Sequence, residues 1–249
     1  MHNERDWREQ LHLGCDRSAF HGSPPFSRLE GPNLWPVDPR FRRELSRYME
    51  ATAKLGESIL ARVGEALRLD GNSFAGIHDG GYLVMKLIGY HPQHEPLANR
   101  TGVAPHVDFS WLTLTLQDRP GLEVRAPNGQ WLSVPHHDAT LWVHSGELLQ
   151  FATGDRYQAT PHRVTNHSLT HMRVSVPLFL NPPLDTYVPV FQTRPLHPQL
   201  SRPVAEEHVH RVLPPGLPRR PFHFGAAEWQ RKGLGFWCAT CEPPSRTKA

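Results

Sequence analysis

His106-Val107-Asp108 sets an imidazole and a carboxylate two residues apart. In an extended chain, residues i and i+2 point to the same side, so both can reach one cation. The pair alone says little, because a chain with 17 histidines produces such triplets by chance and a second stands at His136-His137-Asp138. Context separates them. The first leads into the run Trp111-Leu112-Thr113-Leu114-Thr115-Leu116, and Thr160-Pro161-His162-Arg163-Val164 follows downstream to return a second imidazole. Two histidines and one carboxylate form the facial set that holds Fe(II) and leaves positions open for substrate and dioxygen. His106, Asp108 and His162 are therefore the expected metal ligands, in a catalytic rather than a structural site.

Arg173-Val174-Ser175 is a second i, i+2 pair, on a stretch reading Arg-Val-Ser-Val-Pro-Leu-Phe-Leu. A guanidinium turned inward from an apolar strand costs desolvation unless an anion meets it, and its planar fork beside a hydroxyl suits a carboxylate. An internal salt bridge is the alternative. Tyr90, which closes Met85-Lys86-Leu87-Ile88-Gly89-Tyr90, can offer its hydroxyl to the same carboxylate or serve only as a rim aromatic. Cys238 and Cys241 form a Cys-x-x-Cys, but no further ligands follow at zinc spacing, so they read as free thiols.

The elements that must position these groups fall into three stretches. Residues 1–37, rich in Pro, Gly and charge, read as an irregular segment. Asp38 is an N-cap with Pro39 at the first helical position. Phe41, Leu45, Tyr48, Met49, Thr52, Leu55, Ile59, Val63 and Leu67 then recur at helical spacing until Asp70-Gly71. From Tyr82 the pattern changes to short strands: 82–90, 112–116, 122–125, 131–134, 140–143, 148–152 and 173–180, parted by turns such as Pro120-Gly121 and Asn128-Gly129. Many short strands with tight turns mean a mainly β sandwich or barrel, of which the jelly roll is one form. Beyond residue 190 a Pro-rich extension, 191–249, is expected to pack on the outside of that barrel.

A net charge of +3 with no basic run argues against a nucleic-acid partner, and no apolar stretch approaches the roughly 20 residues that span a bilayer. The N-terminal residues Met1 to Gln10 are polar and carry acids among the bases, which leads to the expectation of a cytoplasmic protein acting on a small molecule as a monomer or weak homo-oligomer.

Taken in order, these motifs resemble the isopenicillin N synthase-like branch of the iron(II) and 2-oxoglutarate-dependent oxygenases. Residues 85–90, 106–118, 121–124, 129–131, 146–150, 160–164 and 173–179 all match its pattern. The resemblance implies a double-stranded β-helix across 38–190, preceded by the long helix. It further implies Fe(II) at His106, Asp108 and His162, with 2-oxoglutarate as co-substrate held through its distal carboxylate by Arg173 and Ser175. O2 would be consumed, succinate and CO2 released, and a metabolite hydroxylated, desaturated or cyclised. A relative that uses iron without 2-oxoglutarate, or a non-catalytic metal-binding relative, is the alternative. Family members usually begin with a longer segment that extends the major sheet, which this chain is expected to lack. Ile88 and His144 stand where Asn is usual, near the pocket but not among the ligands.

Overall fold

A computed structural model of the chain describes residues 8–19, 21–70, 73–74, 80–92, 102–165, 168, 170–192, 209–213 and 219–234. Cys238 and Cys241 lie outside the described residues. Eleven strands and three α-helices are present among those described. A five-stranded antiparallel sheet runs in the order β1 (Glu9–Gly14), β2 (Val84–Tyr90), β9 (Arg173–Leu180), β4 (Leu112–Gln117), β7 (Trp142–Ser145). A four-stranded sheet runs β3 (Val103–His106), β8 (His162–Val164), β5 (Leu122–Arg125), β6 (Trp131–Ser133). The neighbours in each sheet are mostly not consecutive in the chain, and the two sheets face one another as the two halves of a jelly roll. A short pair, β10 (Tyr187–Val188) and β11 (Phe222–His223), closes one end.

The alternation of β9 shows why the barrel has two distinct sides. Leu178 and Leu180 point to the outer face and, with Leu112 and Leu114 of β4, form the main core under the long helix α1 (Pro39–Leu67). Arg173, Ser175, Pro177 and Phe179 point to the inner face and line the cavity. A second, smaller core of Ile88, Tyr90, Leu122, Val134 and Val164 fills the space between the sheets.

Helix α1 starts as its sequence requires: the Asp38 carboxylate accepts from the Arg40 N–H at 2.8 Å, and Pro39 opens the helix. It ends at Arg68, which takes a left-handed conformation with φ 57°. Its buried line is rotated from the expected stripe. Met49, Thr52, Ala53, Gly56, Leu60 and Gly64 are buried, whereas Leu55 is 45% exposed. Small residues let the helix approach the sheet, with Gly56 set against Leu180 and Leu114.

Two expectations are corrected and a third is extended. Residues 148–152 are not a strand but part of the helix α2 (Glu147–Ala152), with Gly146 at its N-cap and an acid in its first turn. The stretch 1–37, expected to be irregular, contains β1, which pairs along its whole length with β2 from Glu9↔Gly89 to Gly14↔Val84 and so extends the major sheet. The C-terminal extension does more than cover the outside. His210 pairs with His106 in a parallel bridge, and α3 (Phe224–Arg231) buries Phe224 in the main core. No described helix is long and apolar enough to cross a membrane.

The rotated helix face is open to test by chemical denaturation. Leu60→Ala should cost about 2–5 kcal/mol, as truncation of a fully buried leucine does, while Leu55→Ala should stay within about 0.5 kcal/mol of the parent. The reverse ranking would return the buried line to the expected stripe.

Candidate metal centre and anion pocket

His106 and His162 are direct cross-strand partners on β3 and β8, which puts their rings 4.2 Å apart. Each Nδ1–H donates to a backbone carbonyl two residues back, Ala104 O at 2.9 Å and Thr160 O at 3.0 Å. That fixes the tautomer and leaves each Nε2 with its lone pair directed at the same point. Asp108 follows β3 and is buried, with Oδ1 3.4 Å from His106 Nε2 and 3.6 Å from His162 Nε2. Its other oxygen is occupied: the Thr113 hydroxyl donates to Oδ2 at 2.6 Å. Ligand atoms of the three residues all lie within 4.8 Å of one another, the one such group among the described residues.

A third imidazole, expected near the pocket but not among the ligands, joins this cluster. His144, on β7, is buried with Nε2 3.5 Å from Asp108 Oδ2 and its ring 4.5 Å from that of His162. Its register on β7 opposite Thr113 accounts for the approach to Asp108. The second triplet lies elsewhere. His136 Nε2 is 3.8 Å from Asp138 Oδ1, but the Asp138 side chain is fully in solvent and no third donor joins them among the described residues.

The electrostatics suit a cation. Burial pushes His162 down to about 3 and lowers His144, so both imidazoles are neutral donors. Burial raises the Asp108 carboxyl, but His162, His106 and His144 outweigh it and hold it well below the usual carboxylate range. At His106 burial, which lowers the pKa, is outweighed by Asp108, which raises it, and an entering cation competes with protons for this imidazole.

The position of Asp108 is set by a backbone clasp. Glu147 N donates to Asp108 O at 2.8 Å, Leu148 N to Ser110 O at 3.2 Å, and Gly146 N to Trp111 O at 3.1 Å. The N-terminus of α2 is thereby spent on the carbonyls of the ligand loop. There is no space for a side chain at 146: a Cβ there would lie 2.7 Å from Asp108 O and collide with Ser110 O. Glu147 then turns its carboxylate to the Val212 and Leu213 N–H groups, at 2.9 and 3.3 Å, and so ties down the C-terminal segment that flanks His106.

At the other end of the inner face, Arg173 is buried beside its cross-strand partner Tyr90, whose ring lies 5.1 Å from the guanidinium carbon. Nη2 donates to Gln117 Oε1 at 2.7 Å and Nε to Arg119 O at 3.3 Å, while Nη1 is buried with no hydrogen-bond partner. No described carboxylate lies within salt-bridge distance, so the internal ion pair is not what holds this charge. Gly121, at φ 143°, makes room: a Cβ there would fall 2.7 Å from Arg173 Nε. Ser175 is buried two residues along β9, opposite Ile88, and Gln117 pairs with it across β4. The cavity joining this end to the histidine cluster has a volume of about 470 Å³.

Residues 80–182 match the model of the 2OG-Fe(II) oxygenase superfamily. A 2-oxoglutarate-Fe(II) type oxidoreductase of Emericella nidulans is 33% identical over 183 residues, covering 70% of this chain and 52% of that protein. A homoarginine-6-hydroxylase of Glycine max is 30% identical, covering 73% and 58%. The chain thus spans about half the length of the curated relatives it matches. Among solved structures, a full-length Neurospora crassa protein in complex with alpha-KG and thymine has a TM-score of 0.72 at 22% identity, covering 92% of this chain and 66% of that one. A dioxygenase for auxin oxidation in rice gives 0.64 at 23%, covering 94% and 71%. At these identities the structural likeness speaks for the jelly-roll fold.

Two measurements follow from the clasp. Gly146→Ala should lower stability by about 1–3 kcal/mol through overpacking against backbone, read by denaturation. Burial pushes the Glu147 carboxyl up to about 7. A group whose folded pKa lies above its unfolded value gives stability that is present below pH 4.5 and is lost as pH rises through about 7. Metal-free protein should therefore lose stability relative to Glu147→Gln between about pH 5 and pH 8, by up to about 1.4 kcal/mol per pH unit. A flat difference would mean that the carboxylate is fully compensated by the two N–H donors.

Proposed function

Because residues 80–182 belong to the 2OG-Fe(II) oxygenase superfamily, we propose that this chain is an iron(II)- and 2-oxoglutarate-dependent dioxygenase that oxidises a small-molecule metabolite. The observation that carries the reading is the pairing of two unsatisfied features in one cavity. Three metal-ligating donors converge on one point, and among the described residues a buried guanidinium nitrogen has no acceptor.

His106 Nε2, Asp108 Oδ1 and His162 Nε2 would hold Fe(II). The Thr113 hydroxyl on Oδ2 keeps Asp108 presenting its other oxygen, and the carbonyls of Ala104 and Thr160 keep both imidazoles in the binding tautomer. Arg173 would take the distal carboxylate of 2-oxoglutarate at Nη1, with Ser175 and Tyr90 beside it and Gln117 fixing the plane of the fork. Iron and 2-oxoglutarate together supply the activation of O2, with succinate and CO2 as co-products and hydroxylation, desaturation or ring closure of the substrate as the outcome. The protein orients the substrate, and the apolar walls of Val103, Leu122 and Val164 keep bulk water from the centre. Fe(II) and the free thiol of Cys15 both suit a reducing compartment, which supports a cytoplasmic location.

Anaerobic addition of Fe(II) and then 2-oxoglutarate should produce a visible charge-transfer band, and admission of air should release succinate. His106→Ala, Asp108→Ala or His162→Ala should abolish iron binding, while His136→Ala and Asp138→Ala leave it intact. Arg173→Leu should weaken 2-oxoglutarate by about 10- to 100-fold, the worth of one charge-assisted hydrogen bond. Iron binding without the band or succinate would favour an iron oxidase that does not use 2-oxoglutarate.

A further inference from the structure

The cavity has a second cationic end. On the inner face of β2, Lys86 is four residues from Tyr90, about 13 Å at roughly 3.3 Å per residue, so it stands well away from Arg173. Its Nζ lies 4.9 Å over the ring of Phe179, and among the described residues it has no carboxylate within salt-bridge distance. An aromatic face is a weak partner for an ammonium partly withdrawn from water. Arg8, Arg231 and Lys232 line the same end of the cavity and act on Lys86 through their charge.

Among the described residues the compensation available there is small. Glu228 is engaged by Arg231 at 2.5 and 2.6 Å and lies 3.5 Å from Lys232 Nζ. His12, the cross-strand neighbour of Lys86, is pushed down to about 4 by burial and by the nearby cations, so it adds no charge. Among the described residues Glu228 is thus taken up by Arg231 and Lys232, and the carboxylate that acts on Lys86 through its charge is Asp108, which belongs to the metal centre. Val84, Pro177 and Phe179 add apolar lining to the cavity that holds both Lys86 and the histidines.

We propose that the substrate of this site is an organic anion, its carboxylate or phosphate seated on Lys86 and its apolar body lying along Phe179 and Pro177 toward His106, Asp108 and His162. The proposal rests on the oxygenase reading and names the class of molecule that reading leaves open. Glu228 is already shared by Arg231 and Lys232, so a neutral molecule of the same shape would leave the Lys86 ammonium uncompensated and an anion would not.

The test uses the full chain loaded with Zn(II), which does not turn over, and with 2-oxoglutarate. Calorimetry or ligand-observed NMR measures the binding of 4-phenylbutyrate, its primary amide and 4-phenylbutyl phosphate. One or both anions should bind at least about tenfold more tightly than the amide, and whichever is tighter identifies the head group. Lys86→Met should erase the preference and Lys86→Arg should keep it, with 2-oxoglutarate affinity measured in each variant to show that the barrel is intact. Equal binding of acid, phosphate and amide, no binding by any of the three, or a preference that survives Lys86→Met overturns the proposal. Lys86-dependent preference in a protein that does not bind 2-oxoglutarate would instead remove the co-substrate reading and leave the anion site standing.

Discussion

The clasp between the Asp108–Trp111 loop and the start of α2 is the constraint on which the rest of the site depends. Three backbone N–H groups of a helix terminus, which would otherwise need water or a side-chain cap, are given to the carbonyls of the segment that presents the carboxylate. The arrangement works only because residue 146 has no side chain. It also has a second reach. Glu147, the first residue of α2, receives the Val212 and Leu213 amides, and the chain just before them runs beside β3 with His210 N donating to Pro105 O at 3.0 Å. One turn therefore positions the ligand loop, caps the helix and covers the exposed edge of the strand that carries His106.

Charge is distributed along the cavity in a way that the fold cannot neutralise by itself. One carboxylate sits among three imidazoles at the centre, a guanidinium with an unsatisfied nitrogen lies at one end, and an ammonium stacked on a ring lies at the other. Each costs desolvation in the folded protein. A core built only for stability would place hydrophobic residues at these positions, since replacing buried ions by well-packed apolar groups is often neutral or favourable. On the proposed reading, the charges stand where bound molecules would complete them.

Much of this was visible in the sequence, and the exceptions have physical causes. β5 and β9 have the boundaries that their alternation implies, and α1 begins at the expected cap, because a two-residue period or an Asp-Pro start has few competing readings. Leu148-Leu149-Gln150-Phe151-Ala152 is too short for its apolar run to distinguish helix from strand. The cue for helix was Gly146-Glu147, a cap followed by an acid in the first turn. β1 carries an alternation of Leu11 and Leu13 that was obscured by the charge around it. Lys86 and His210 reach the cavity through strand register and chain return, which no local pattern encodes, whereas His144 was placed near the pocket by the sequence and only its contact with Asp108 depends on register. The helix stripe was offset because helical spacing counts large apolar residues, whereas close packing on a sheet favours Ala53 and Gly56.

The cross-strand pairing of His106 with His162 sets different rules for different parts of the gene. Side chains alternate sides along a strand, so a single-codon insertion or deletion within β3 or β8 would turn one imidazole out of the cavity and leave the other without its neighbour. Between the two strands, length can drift by whole loops as long as both strands keep their frame. Indels tolerated across the β5–β6 turn and absent from these two short strands would be the evolutionary trace of that pairing.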